Sequence, residues 1–185
     1  MKSIALFGGT FDPPHLAHCM TASYVLGLPE IEALWILPVA HHPLAKEPSD
    51  FEHRMAMCRL AFSIFGERVH VRDDEARSSG RTWDLLVALR DRYPHRSFRL
   101  VLGTDQRELL HRWFRFEDIS EFAPPIWVGR AGYGDAHLEP IVLPDYSSTE
   151  AQKLLSTDVV PAWVSDEVAS YAKDHRLYPL RGSGG

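Results

Sequence analysis

Only two cysteines occur in the 185 residues, Cys19 and Cys58. They form no CxxC pair, which excludes a vicinal thiol motif. Each lies in an apolar, helix-like segment and reads as a buried free thiol of a reducing compartment. Positive charge is also short, with 20 Lys and Arg against 25 Asp and Glu and a formal net charge of −5. That balance leaves no basic footprint for long nucleic acid, although local charge can still serve a small anionic ligand. No apolar run is long enough to cross a membrane and no secretory start is present, so the expectation is a cytoplasmic chain free of membranes. Repeats, low-complexity tracts and long linkers are missing too. Residues 1–180 are therefore expected to form a single domain, with the closing RGSGG (181–185) a flexible tail.

What is there is an alternation. Ile4–Phe7, Ala33–Leu37, Val69–Val71, Phe98–Leu102 and Ile126–Val128 are short apolar runs that read as buried strands, with a sixth over Leu138–Leu143. Between them, His15–Leu26 reads as a helix. Ser49-x-x-Glu52 resembles a capping box opening a helix to about Phe65. Thr82 is placed to cap another that shows Trp83, Leu86 and Leu89 on one face. Strands alternating with helices imply right-handed crossovers and an α/β fold, a Rossmann-like doubly wound parallel sheet. The last stretch, about 146–180, differs. Ser147-Ser148-Thr149 opens a short helix and Pro161 suits the first residue of another, which presents Trp163, Val164, Val168 and Tyr171 inward. A small C-terminal helical appendage is expected.

The chemistry concentrates in residues 8–18, GGTFDPPHLAH. Ligands of open parallel sheets bind beyond the carboxyl ends of the strands, where Gly8 and Gly9 stand. Glycine there permits a sharp turn and a close ligand approach. The helix start that follows favours anions through its backbone N–H groups. His15 and His18 are three apart and share a helix face, so two imidazoles can clamp phosphate oxygens. A metal site and a chance surface pair are the other readings. Metal is the weaker of them, because no third ligand lies at a convincing spacing.

In combination these residues resemble the GGTFDPxHxGH segment of nucleotidyltransferases with a T/HxGH motif. More closely, the chain is similar to the bacterial nicotinate-mononucleotide adenylyltransferases. The resemblance spans nearly the whole sequence. It runs through WILP at 35–38 with HHPLAK at 41–46, HRM at 53–55 with Met57, and Glu75 to Leu86, where Thr82, Asp84 and Leu86 are in register. It continues through LGTD at 102–105 with Trp113, VGRAG at 128–132, YSSTEAQ at 146–152, and Pro161, Val164, Tyr171 and Leu177-Tyr178.

The resemblance implies adenylyl transfer from ATP to nicotinate mononucleotide, with release of pyrophosphate and with Mg²⁺ carried on the ATP. Such a reaction needs no protein nucleophile, only alignment of two mutually repelling anions and stabilisation of the charge that develops. His15, His18 and Lys46 are the implied catalytic groups. Gly8, Gly9, Thr10, Phe11, His15, His18, Gly103, Asp105, Ser147, Ser148 and Thr149 are the implied ATP contacts. Thr82, Trp113, Lys46 and Arg130 are implied for the acceptor. Bland alternatives stand beside several of these: Lys46 as a solvated neighbour of Glu47, Trp113 as a core residue, Asp105 as a helix cap, Asp12 as a turn former. The partners are thus two small molecules, with no nucleic acid, no membrane and room for a homo-oligomer.

Four positions depart from the pattern. Ala17 stands for the HxGH glycine, Arg81 for a tyrosine, Leu85 for a threonine, and Gln152 for an arginine expected to hold ATP phosphates. Gln cannot supply a charged fork. Lys153, Arg130, Arg112, Arg77 and Arg81 are the cations that could replace it. Two rival readings follow. One is a related transferase acting on nicotinamide mononucleotide or pantetheine phosphate, or moving a cytidylyl group. The other is a nucleotide-binding module weakened in catalysis at Gln152.

Overall fold

The computed structural model describes residues 2–40, 48–133 and 138–179. Six strands form one parallel sheet: β1 (Ser3–Gly9), β2 (Ile31–Pro38), β3 (Val69–Val71), β4 (Ser97–Gly103), β5 (Pro125–Arg130) and β6 (Val142–Leu143). Their spatial order is β3-β2-β1-β4-β5-β6. The chain winds outward from β1 to one edge, then restarts at β4 beside β1 and winds to the other. The doubly wound α/β expectation is what the strands adopt.

Both faces of the sheet are covered. Successive residues of β1 point to opposite sides, Ala5 into one apolar cluster and Ile4 and Leu6 into the other. The first face packs α1 (Leu16–Gly27), α2 (Phe51–Phe62), α5 (Ser148–Leu155) and α6 (Asp166–Asp174). The second packs α3 (Thr82–Arg92) and α4 (Phe116–Phe122). The C-terminal helices α5 and α6 are 8 and 9 residues long, too short to persist alone in water. Their stability comes from sinking Ala151, Val168, Ala169 and Ala172 into the cluster shared with α1 and α2.

Local signals were overruled in four places. The capping box at Ser49 does not form: α2 starts at Phe51 after Asp50 and stops at Phe62, where a 3-10 segment (Ser63–Arg68) takes over. The Ser49 N–H instead donates to the buried carboxylate of Asp12. Thr82 is the first residue of α3, not its cap. The sixth strand is two residues long, flanked by Pro140 and Pro144, which have no N–H to give a ladder. Pro161 begins a turn closed by the Val164 N–H on its carbonyl, and α6 starts later, capped by the Ser165 side chain.

Strand register creates the crevice. β1 stays paired with β2 up to Gly9↔Pro38, but its pairing with β4 ends at Leu6↔Leu100. Beyond that point the two central strands diverge at their carboxyl ends, the place where the chain's winding reverses.

Candidate functional site

The divergence opens into a cleft of about 960 Å³, lined along its length by Gly8, Gly9, Thr10, His15, His18, Gly103, Asp105, Arg130, Thr82 and Trp113. Ten residues singled out in the sequence thus meet in one cavity. Phe11, Ser147, Ser148 and Thr149 do not line it. Lys46 lies outside the described residues.

Gly8 and Gly9 are the last residues of β1, so they do not make the turn expected of them. Phe11 makes it, at φ 51°, a left-handed conformation uncommon for an aromatic residue. Its ring is buried against Phe7, Phe62 and the imidazole of His18, with centroids 5.3, 6.0 and 4.8 Å apart. A Cβ on Gly9 would stand 2.9 Å from that ring. Gly9 therefore makes room for Phe11, and Phe11 backs His18.

His15 precedes α1 and His18 closes its first turn, which stacks the two rings at 3.8 Å and 26°. The His15 N–H donates to Nδ1 of His18 at 3.1 Å. With Nδ1 accepting, a neutral His18 carries its proton on Nε2. Burial lowers the His15 pKa to about 4, aided by Arg130, and burial, His15 and Arg130 hold His18 well below its ordinary value. Both rings are accordingly neutral near pH 7. Nδ1 of His15 is buried and has no hydrogen-bond partner among the described residues. The helix start is less open to anions than expected. Besides the His15 N–H, the Leu16 N–H is spent on the carbonyl of Trp163 and the His18 N–H on that of His15. The first turn offers imidazoles more than backbone donors.

Behind this loop lies a polar network whose extent local sequence does not announce. Asp12 is 4% exposed. Its carboxylate accepts from the Ser49 N–H (2.9 Å), Gln152 Nε2 (3.1 Å) and the Tyr178 hydroxyl (2.6 Å). Asp12 does hold a turn, through partners far away in sequence. Arg54, 1% exposed, donates to the carbonyls of Thr10, Val39 and Ser49 at 2.8 to 3.0 Å. It ties the ends of β1 and β2 together. Ser147 caps α5 and Ser148 Oγ donates to the Pro13 carbonyl at 2.9 Å. Ser148 thereby supports the loop. Asp12 read as a turn former was one hint of this network, and Arg54 amid the apolar residues of α2 another, since a buried guanidinium must find acceptors.

At the far end of the cleft, Trp113 is half-buried and meets Phe116 edge to face at 6.0 Å, so it serves the core on one side and the cavity on the other. Arg81 lies over the Phe114 ring at 4.8 Å. Arg81 and Arg112 both line the cleft and have no carboxylate partner among the described residues. Arg130, by contrast, is held 3.6 Å from Asp105 and 3.4 Å from Asp145. A Cβ on Gly103 would collide with the Asp105 carboxylate. Glu75 also lines the cleft, and burial followed by Asp74 raises its pKa to about 6.

The cytidylyltransferase-like family model matches residues 6–154. A probable nicotinate-nucleotide adenylyltransferase of Anaeromyxobacter dehalogenans (strain 2CP-C) is 38% identical over 96% of this chain and 97% of its own. The nicotinate-nucleotide adenylyltransferase of Bacillus subtilis (strain 168) is 27% identical over 96% and 99%. Among solved structures, the nicotinic acid mononucleotide adenylyltransferase of Plasmodium falciparum, complexed with NaAD, superposes with a TM-score of 0.81 at 23% identity, covering 96% of this chain and 98% of that one. At that identity the likeness establishes the fold alone.

Proposed function

Since this chain belongs to the cytidylyltransferase-like family, we propose that it transfers the adenylyl group of ATP to nicotinate mononucleotide, giving deamido-NAD and pyrophosphate in NAD biosynthesis. An oxygen of the acceptor phosphate forms the new bond to the α-phosphorus of ATP, and the bond from that phosphorus to the β-phosphate oxygen breaks. Pyrophosphate carries the electron pair away. The protein supplies alignment and charge stabilisation, with no covalent intermediate of its own. Mg²⁺ enters with the triphosphate as part of the substrate.

The observation that carries this reading is the stacked pair of neutral imidazoles at the split between β1 and β4. His18, fixed by its Nδ1 bond, presents Nε2–H to a phosphate oxygen, and His15 faces the same cavity. A bound polyanion favours the protonated form of His15, whose pKa rises on binding, while His18, with Nδ1 held as an acceptor, serves as a neutral Nε2–H donor when charge develops at phosphorus. Gly8, with nothing nearer its missing Cβ than the Leu37 carbonyl at 3.9 Å, gives a nucleotide access to the β1 backbone. Arg130 is the cation proposed for phosphate beside the histidines, and Lys46 is a second on the strength of the family resemblance. Thr82 and the open face of Trp113 receive the pyridine ring. Two carboxylate-free arginines beside that ring, Arg81 and Arg112, favour the acid over the amide.

Pyrophosphate release with ATP and Mg²⁺ tests the assignment, using nicotinate mononucleotide, nicotinamide mononucleotide and pantetheine phosphate, and CTP in place of ATP. The expected result is fastest turnover with ATP and the nicotinate acid. Turnover confined to pantetheine phosphate or CTP would reassign the substrate, and ATP binding without any product would leave a binding module.

A further inference from the structure

We infer that Gln152 and Tyr178 are positioning residues, a latch through which the C-terminal helices set the placement of His18 by way of Asp12 and Phe11. The inference rests on the adenylyltransferase reading for what His18 does, and on geometry for how it is held.

The latch has three links. Gln152 Nε2, from α5, donates to the Asp12 carbonyl at 2.6 Å and to its carboxylate at 3.1 Å. Tyr178, from the segment after α6, donates to the other carboxylate oxygen at 2.6 Å. Burial, with the Asp12 charge second, pushes the Tyr178 hydroxyl far above its ordinary value, so it remains a donor. Asp12 is joined by one peptide bond to Phe11, whose left-handed backbone and buried ring meet the His18 imidazole at 4.8 Å. Two further bonds join the same two segments: the Leu16 N–H donates to the Trp163 carbonyl, and Ser148 Oγ donates to the Pro13 carbonyl. The appendage thus touches the loop at Asp12, Pro13 and Leu16, none of which lines the cleft. A buried carboxylate keeps its place only while its donors stay, because each lost donor leaves an unsatisfied charge.

This geometry gives Gln152 an occupation other than phosphate binding. Its amide points to the back of the loop, and the cation of the reaction must come from elsewhere in the cleft. A longer, charged side chain at 152 has Asp12 to bind before any ligand, so it brings no new charge to phosphate.

The test uses Q152A, Y178F and Q152R in the full chain. The expected result is a roughly tenfold loss of kcat in Q152A and in Y178F, with the acceptor KM within twofold, because displacing a reacting group by a fraction of an ångström acts on the transition state. Q152R should not exceed the wild-type rate. In an H18A background, Q152A should cost nothing further in kcat. A latch that merely stabilises the fold would lower the melting temperature in all variants and leave kcat, or its loss would add to that of H18A; either overturns the inference, as does a Q152R enzyme faster than wild type. NMR of the His18 imidazole separates the two readings of the site. A changed ring resonance and an upward shift of its protonation midpoint in Q152A and Y178F support the latch even if no acceptor is turned over. Unchanged resonances sink it even if the wild type is fully active.

Discussion

The two ends of the cleft are built on opposite plans. At the histidine end, the groups that hold the site are committed before a ligand arrives: Asp12 and Arg54 are buried and multiply bonded, His18 is fixed at Nδ1, and Arg130 sits between two carboxylates. At the other end, Arg81 and Arg112 are exposed, and Arg81 rests on an aromatic ring that is itself 50% exposed. The difference follows from the chemistry each end is proposed to do. A group that stabilises transferring phosphorus must be in place beforehand, since reorganisation during the step would cost rate. A group that only holds the acceptor can be ordered by the acceptor itself, at some expense in affinity.

Mutations at the histidine end should therefore register in kcat or stability, and mutations at the arginine end in KM. The largest effect is expected for H18A, a ~10²–10³ loss of kcat in steady-state pyrophosphate release with little change in acceptor KM, the loss typical of one transition-state donor. Acid comes next. The folded state holds His15 neutral down to about pH 4 whereas the unfolded chain protonates it near 6.5. The unfolded state thus binds more protons between those values, and stability falls as pH drops through that window, by about 3 kcal/mol for this group. Urea titrations of wild type and H15Q from pH 7 to 4 should show a flatter pH profile in the variant.

Gly9→Ala follows, because its Cβ must displace the buried Phe11 ring. About 1–3 kcal/mol of stability should be lost in denaturant melts, the usual range for overpacking. Smallest is R81Q, an exposed site where a charged contact with ligand is discounted by solvent. The KM for nicotinate mononucleotide should rise several-fold, about 1 kcal/mol, with kcat and the KM for the nicotinamide analogue nearly unchanged. If R81Q lowered kcat instead, the contrast between the two ends would fail.

Much of this was legible in the residues. The first five strands were found to within two residues at either end, because buried parallel strands are continuous apolar runs and their limits are set by Pro, Gly and charge. The cavity lining was legible where the motif is local, as at Gly8, Gly9, His15 and His18. It failed where a side chain had to choose between a near and a far partner. Ser49 read as a helix cap, yet its N–H serves Asp12. Gln152 read as a missing cation, yet it braces a loop. Ser147 read as opening a helix and caps one, whereas the bond from Ser148 to the distant Pro13 carbonyl had no local sign. Phe11 gave no sign of its left-handed backbone, a conformation that an aromatic residue rarely adopts.

The sequence by itself determined the order of strands and helices, the sites of chain reversal and the grouping of two histidines on one helix turn. These depend on periodicity, propensity and spacing, which act over a few residues. Tertiary structure alone decided which donors of the loop between β1 and α1 are spent and which imidazoles are neutral. Burial and hydrogen-bond partners are set by segments brought together across the fold, as when Tyr178 reaches Asp12 across 166 positions of chain, and no local pattern encodes a partner that distant.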